Sequence, residues 1–289
     1  ALVITTNTVI DLSQAVTAAW DANNAANAGK GVYDSNKWAV VFKYSSVTIA
    51  SNVTVSFSNH PSRAPVVWLV NGNVTINGAL SLDGANWWHE FNGTSYVPGQ
   101  GQQVQAEPGP GGFRGGRSWD GVGVGASAGF GPGGGRHQGD AGYAGSFGSP
   151  ANGGATYGNP SNIPLIGGSG GGGDGDAHTD WKVRGAAGGG AILIACSQTL
   201  SLAGIIRANG GYGYNYAGRE TGGGSGGAIR LLANVLSGAG LVQAIGGQGW
   251  SWGGSGRIRI ERVVNSSTLQ VSPDPSVVPL PAGDTALLW

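Results

Sequence analysis

The chain has 289 residues, 15 basic and 15 acidic, and only 10% are charged where about 25% is usual. Zero net charge removes the long-range pull on nucleic acid or an anionic membrane surface, and no apolar run of about 18 residues is present to span a bilayer. Glycine is the outlier at 58 residues, yet ten Trp and eight Tyr separate the chain from low-complexity disorder, which is poor in aromatics.

Residues 1–37 read as an extended arm followed by a short helix. Asp11 is placed to cap it, Gln14 completes a capping box, and Leu12, Val16 and Trp20 recur on one helical face. Such a helix would cover the first open edge of whatever follows. Residues 38–84 then alternate as strands: Trp38 to Tyr44, Val47 to Phe57, and Val66 to Val70 running on into Val74 to Gly84.

Three stretches repeat one motif, and aligned glycines mark it. Gly78 meets Gly204 and Gly240, and Gly84 meets Gly210 and Gly246. In the later coils, residues 191–262, Ile192, Ile229 and Ile258 stack in register, as do Ile194, Leu231 and Ile260. Leu193, Arg230 and Arg259 lie between them and face the other way, because side chains alternate along a strand. Ser81, Arg207 and Gln243 are a second outward set. Coils of this size, each an incomplete apolar unit, predict an all-β parallel β-helix, or β-solenoid, whose repeated glycines turn corners at positive φ.

Glycine-rich insertions separate the coils. The longest, residues 85–190, holds 34 of the 58 glycines, and two short ones span 211–227 and 247–256. Each leaves just after a terminal motif glycine, so all three are expected side by side at one corner. From Gly139 to Gly148 glycine recurs every third residue, as it does at Gly109, Gly112 and Gly115. Period three belongs to polyproline-II geometry, where glycine lets backbones approach and hydrogen-bond. The expectation is an ordered, polyglycine-II-like layer packed on the solenoid. Interleaved Phe113, Trp119, Phe130, Tyr143 and Phe147 help offset the entropy lost by glycine. Residues 263–289 carry four prolines and read as an extended tail, ending in the apolar Ala286 to Trp289.

Aromatic residues form the strongest site-like pattern. Trp87 and Trp88 follow Gly84; Tyr212, Tyr214 and Tyr216 follow Gly211; Trp250 and Trp252 follow Gly247. At one shared corner these rings make a stripe suited to stacking on sugar faces, although rings that only cover glycine backbone would give the same pattern. Asp174, Asp176, His178 and Asp180 alternate and could offer ligands to calcium or, with the histidine, a transition metal. The spacing is not that of a calcium loop, and a solvated acidic turn is the preferred reading; no other cofactor is expected. His89–Glu90 is an acid/base pair without a partner in view. Esterase-elbow, phosphate-loop and His-Glu-x-x-His motifs are absent, and the aligned outward residues contain no acidic pair. The lone Cys196, in an apolar run, permits no intrachain disulfide. The absence of Met even at position 1, the low charge and the abundant Gly, Ser, Thr and Asn fit an exported protein that has lost a leader, or a fragment. Four Asn-x-Ser/Thr triplets, at Asn52, Asn73, Asn92 and Asn265, are weak support in this composition.

The blocks Pro108 to Gly116, Gly129 to Gly135, Gly188 to Ala195, Gly226 to Leu231 and Gly254 to Ile260 resemble a broad group of glycine-rich bacterial extracellular proteins. The resemblance covers roughly residues 66–262 and implies export and a β-solenoid architecture. The glycine-rich part also resembles the polyglycine-II sandwiches of phage tail-tip adhesins, where glycine helices form the whole domain. Together these point to an extracellular or cell-surface, non-enzymatic structural or adhesive protein. It would self-associate into a homopolymer and could contact a polysaccharide or cell-surface glycan. A phage or cell-surface receptor-binding tip is the first alternative, and a polysaccharide lyase or hydrolase on a β-helix the second.

Overall fold

The computed structural model describes residues 1–21, 29–87, 105–119, 125–175, 183–216 and 219–281, and the chain is all-β. Two curled sheets, of eleven and six strands, hold the core. The larger one carries two rows of strands side by side. Its first row comprises Ala39–Tyr44, Val66–Val70, the leading parts of Ala191–Leu202, Ala228–Gly238 and Arg257–Ser267, then Ser276–Pro279. The second comprises Leu2–Ile4, Val47–Ile49, Val74–Ile76 and the trailing parts of the same three long strands. A break in register between Cys196 and Thr199 lies where Ala191–Leu202 passes from one row to the other. The six-stranded sheet is the third row: Thr8–Asp11, Thr54–Ser58, Ala79–Ser81, Ile205–Arg207, Leu241–Gln243 and Gln270–Ser272. Pairing within each row is parallel. Each circuit of the chain therefore visits the rows in turn and lays one strand beside that of the circuit before.

Inward side chains stack along the rows. Val40, Val66, Ile192, Ile229 and Ile258 share one register and are almost wholly buried, as are Phe42, Trp68, Ile194, Leu231 and Ile260. Val55, Leu80, Ile206 and Val242 do the same in the third row. Each buried side chain of this size contributes about 1.5–3 kcal/mol against the ordering entropy. Leu193, Arg230 and Arg259 pair across adjacent strands on the outer face, with Arg230 and Arg259 both bonded to Glu261. Corner side chains add a second tie. Asn73, Asp83 and Asn209 accept the backbone N–H of Thr199, Asn209 and Ile245 on the next circuit at 2.8–3.1 Å.

The expected N-terminal helix is not formed. Asp11 does cap Ser13, but only for one 3-10 turn, Leu12–Gln14; Val16–Thr17 then runs as a strand beside Val32–Asp34. Val16 and Ala18 donate to the carbonyls of Gly31 and Tyr33, so a neighbouring strand satisfies the backbone that a helix would have satisfied internally. Spacings of four residues fit a strand's even period as well as a helix's 3.6. Leu12, fully buried, still packs against the apolar core. Among the described residues no helix is long and apolar enough to cross a membrane.

The motif glycines also differ from expectation. Gly78, Gly84, Gly204, Gly210, Gly240 and Gly246 do not take positive φ. What they need is room: a Cβ on Gly204 would lie 1.9 Å from the carbonyl oxygen of Gly78, and one on Gly240 2.3 Å from that of Gly204. The glycines form a column in which each circuit's backbone touches the next.

The insertions are bonded to one another through their backbones. In the segment around Gly168–Gly175, the N–H groups of Gly168, Gly171 and Asp174 donate to Gly189, Ala186 and Val183. Those of Gly170 and Gly173 donate to Phe130 and Ser127, and those of Gly172 and Gly175 to Tyr143 and Asp140. Every third residue meets the same neighbour, the repeat of a helix with three residues per turn. Phe147, Tyr157, Leu165 and Ile166 pack this layer onto Ala191 and Ala228 at the start of two long strands.

The last circuit ends the core differently. Arg262 takes the register of Cys196 and Ala233, and Asn265 that of Leu200 and Leu236. With Ser267, Leu269 and Val271 they line a cleft of about 160 Å³ beside Leu236 and Ile260.

Candidate functional site: an aromatic and polar corner

Beyond the third row the ladder continues into the glycine segments. Leu82 and Gly84 donate to Arg207 and Asn209, and Ala208 and Gly210 donate to Gln243 and Ile245. A Cβ on Gly84, Gly210 or Gly246 would come within 2.3, 1.9 and 1.9 Å of a carbonyl oxygen of the glycine layer, so the chain leaves each circuit pressed against that layer. The aromatic residues follow immediately.

Asn86 accepts the Tyr212 N–H at 2.8 Å, and the Trp87 N–H donates to the Tyr212 carbonyl at 2.8 Å. The rings of Trp87 and Tyr214 meet at 4.2 Å between centroids. Tyr214 is fixed in turn by its N–H donating to Thr221 Oγ1, and Gly213 donates to Gln248 on the next excursion. Trp250 packs edge-on against Tyr143, 5.0 Å away, rather than on Tyr214. Tyr212 and Trp252 face solvent, 47% and 65% exposed. The structure thus joins Trp87 to Tyr214 and runs the backbones of the second and third excursions alongside. Trp250 belongs to a second ring pair. Trp88 and the side chain of Tyr216 lie outside the described residues.

A few residues before the rings, Asp83 and Asn209 join the outward set Ser81, Arg207 and Gln243 into one polar group. Asp83 Oδ2 bonds Arg207 Nε at 2.6 Å and Ser81 Oγ at 3.0 Å, while Oδ1 accepts the Asn209 N–H. Burial pushes the Asp83 carboxyl above its ordinary value, opposed by the Asn209 N–H, the Arg207 charge and the Ser81 hydroxyl. Asn209 Nδ2 donates to Gln243 Oε1 at 2.9 Å. Aligning the repeats on their glycines puts Asp83, Asn209 and Ile245 at one position, so the signal was present one residue before each terminal glycine.

Of the proposed metal ligands, Asp174 is buried inside the glycine layer, where its N–H donates to Val183 and its carbonyl accepts from Trp119. Asp176, His178 and Asp180 lie outside the described residues, as do His89 and Glu90. Among the described residues no three His, Cys, Asp or Glu side chains are grouped to hold a metal. Cys196 is buried, its Sγ bonded to the Gly72 carbonyl, and burial raises its thiol pKa. In comparisons with known proteins, no family model, curated protein or solved structure matches this chain.

Proposed function

We propose that the chain is an extracellular, non-enzymatic adhesive or structural protein. In this reading it is a β-solenoid scaffold with a polyglycine-II-like layer that holds an aromatic corner out to carbohydrate. The observation that carries the reading is the exposure of Tyr212 and Trp252 on excursions that backbone bonding fixes in place, with Trp87 and Tyr214 in tilted ring contact. Flat rings held rigidly on a polar scaffold bind sugar faces with little ordering cost. A glycan array probed with the native chain and with a Tyr212→Ala/Trp252→Ala double variant tests it. Binding to one polysaccharide class, weakened about tenfold in the variant, is expected from the worth of two ring contacts. Binding that is equal in both, or absent from every glycan, would overturn it.

Self-association belongs to the same proposal, through the first end of the stack. The strands Leu2–Ile4 and Thr8–Asp11 are the first of their rows, with Val3 and Val9 65% and 64% exposed, an edge open to strand addition. Light scattering of the whole chain against one lacking residues 1–11 should show loss of the larger species on deletion.

A further inference from the structure

We propose that Arg207 and Gln243 form an anion subsite beside the aromatic corner, which selects polysaccharides carrying uronic-acid carboxylates. The inference rests on the carbohydrate reading above and names the sugar class. Among the described arginines paired with carboxylates, Arg63, Arg114, Arg230 and Arg259 each commit at least one terminal nitrogen to a partner. Arg207 is held by Nε alone, to Asp83 and Ser81, and neither terminal nitrogen has a partner among the described residues. The guanidinium is therefore fixed in orientation, its outer N–H groups hydrogen-bond no described residue, and its side chain is 39% exposed.

Gln243 lies in register with Arg207 on the adjacent strand, about 4.8 Å away. Its Oε1 accepts from Asn209, and its amide NH₂ has no hydrogen bond among the described residues. Asp83 already accepts from Ser81, Arg207 and Asn209. What the patch offers is thus several donors at a pre-oriented fork, the arrangement that takes a planar carboxylate through paired hydrogen bonds. Tyr212 follows Arg207 by five residues, at most about 17 Å of extended chain, so a polymer of several sugar units would reach both the fork and the ring.

Polygalacturonate, alginate and their methyl esters, titrated calorimetrically into the whole chain, separate the charge from the sugar backbone. At least one polyuronate is expected to bind about tenfold or more tighter than its ester, the worth of a charge-assisted pair. Arg207→Lys keeps a cation for Asp83 but loses the fork. It should erase that difference, and a single cooperative melt of the variant shows that the fold survives the change. Gln243→Ala should reduce the difference in part. Dextran sulfate is the control for plain charge, and equal binding of it would overturn carboxylate selection. So would equal affinity for acid and ester, an unchanged Arg207→Lys variant, or no binding to any polyuronate. Loss of selectivity in Arg207→Lys with no effect of Tyr212→Ala/Trp252→Ala would retain this subsite and remove the aromatic one. The reverse result would do the opposite.

Discussion

Gly224 and Ile229 lie on one continuous stretch of chain and obey opposite rules. At Ile229 the space between backbones is filled by side chains, one per circuit, and the backbone bonds only to the strands on either side. Around Gly224 the backbones fill the space themselves. Gly224 donates to Gly211 and accepts from Gly247, and a Cβ would sit 1.9 Å from the carbonyl oxygen of Ala187. A strand row tolerates exchange of similar volumes, whereas a glycine layer has no side-chain volume to exchange. The glycine region forfeits hydrophobic burial and carries the largest ordering entropy of any residue. It compensates with hydrogen bonds to several neighbours per segment, each worth about 0.5–1.5 kcal/mol net.

Adding one methyl group to the layer should cost more than removing three carbons from the core. Gly224→Ala must displace fixed backbone, and a loss of about 4 kcal/mol or more in urea unfolding is expected. Gly125→Ala, with nothing within 4 Å of the added carbon, is the matched control and should change little. If both variants behaved alike, close backbone packing would not be what stabilises the layer. Ile229→Ala should cost about 3 kcal/mol through the cavity it leaves. Hydrogen exchange sharpens the contrast: Gly224→Ala should expose amides of residues 167–175 and 183–190 first, and Ile229→Ala those of the strand rows.

The smallest effect is expected from acid, at the end where neither rule holds fully. Asp11 joins the first circuit to the second by accepting from Ser58, and from Ser13, and its carboxyl is lowered to about 2. Its unfolded value is about 3.9, so its contribution is present above that pH and lost as pH falls towards 2. Amides of residues 8–17 should open in that window while those of the glycine layer stay protected. Asp11→Asn should abolish the pH dependence of that opening.

The apolar ladders were legible because short buried runs recur at aligned glycines. Ile192, Ile229 and Ile258 pair as that alignment requires, and so do Ser81, Arg207 and Gln243. The first turn was misread because Leu12, Val16 and Trp20 satisfy helix and strand spacings together, and only the partner strand Val32–Asp34 decides between them. The role of the motif glycines was hidden for a related reason. Positive φ and close approach both require glycine, and only the neighbouring carbonyl tells them apart. At the corner, local sequence supplied the rings but not their partners. Tyr143, 107 residues before Trp250 in the chain, takes that ring away from Tyr214. The Asp83–Arg207 pair spans two circuits separated by the longest insertion, so its chemistry emerged only when the rows were laid side by side.

The last circuit gives the molecule a direction. A further layer of strands added there would seal Arg262 and Asn265 over Leu236 and Ile260, stranding a guanidinium without a counter-ion at a cost of several kcal/mol. The opposite end carries no such charge among its inward positions, Leu2, Ile4 and Leu12. The two poles are therefore chemically unlike: one presents apolar inward positions, the other an arginine and an asparagine.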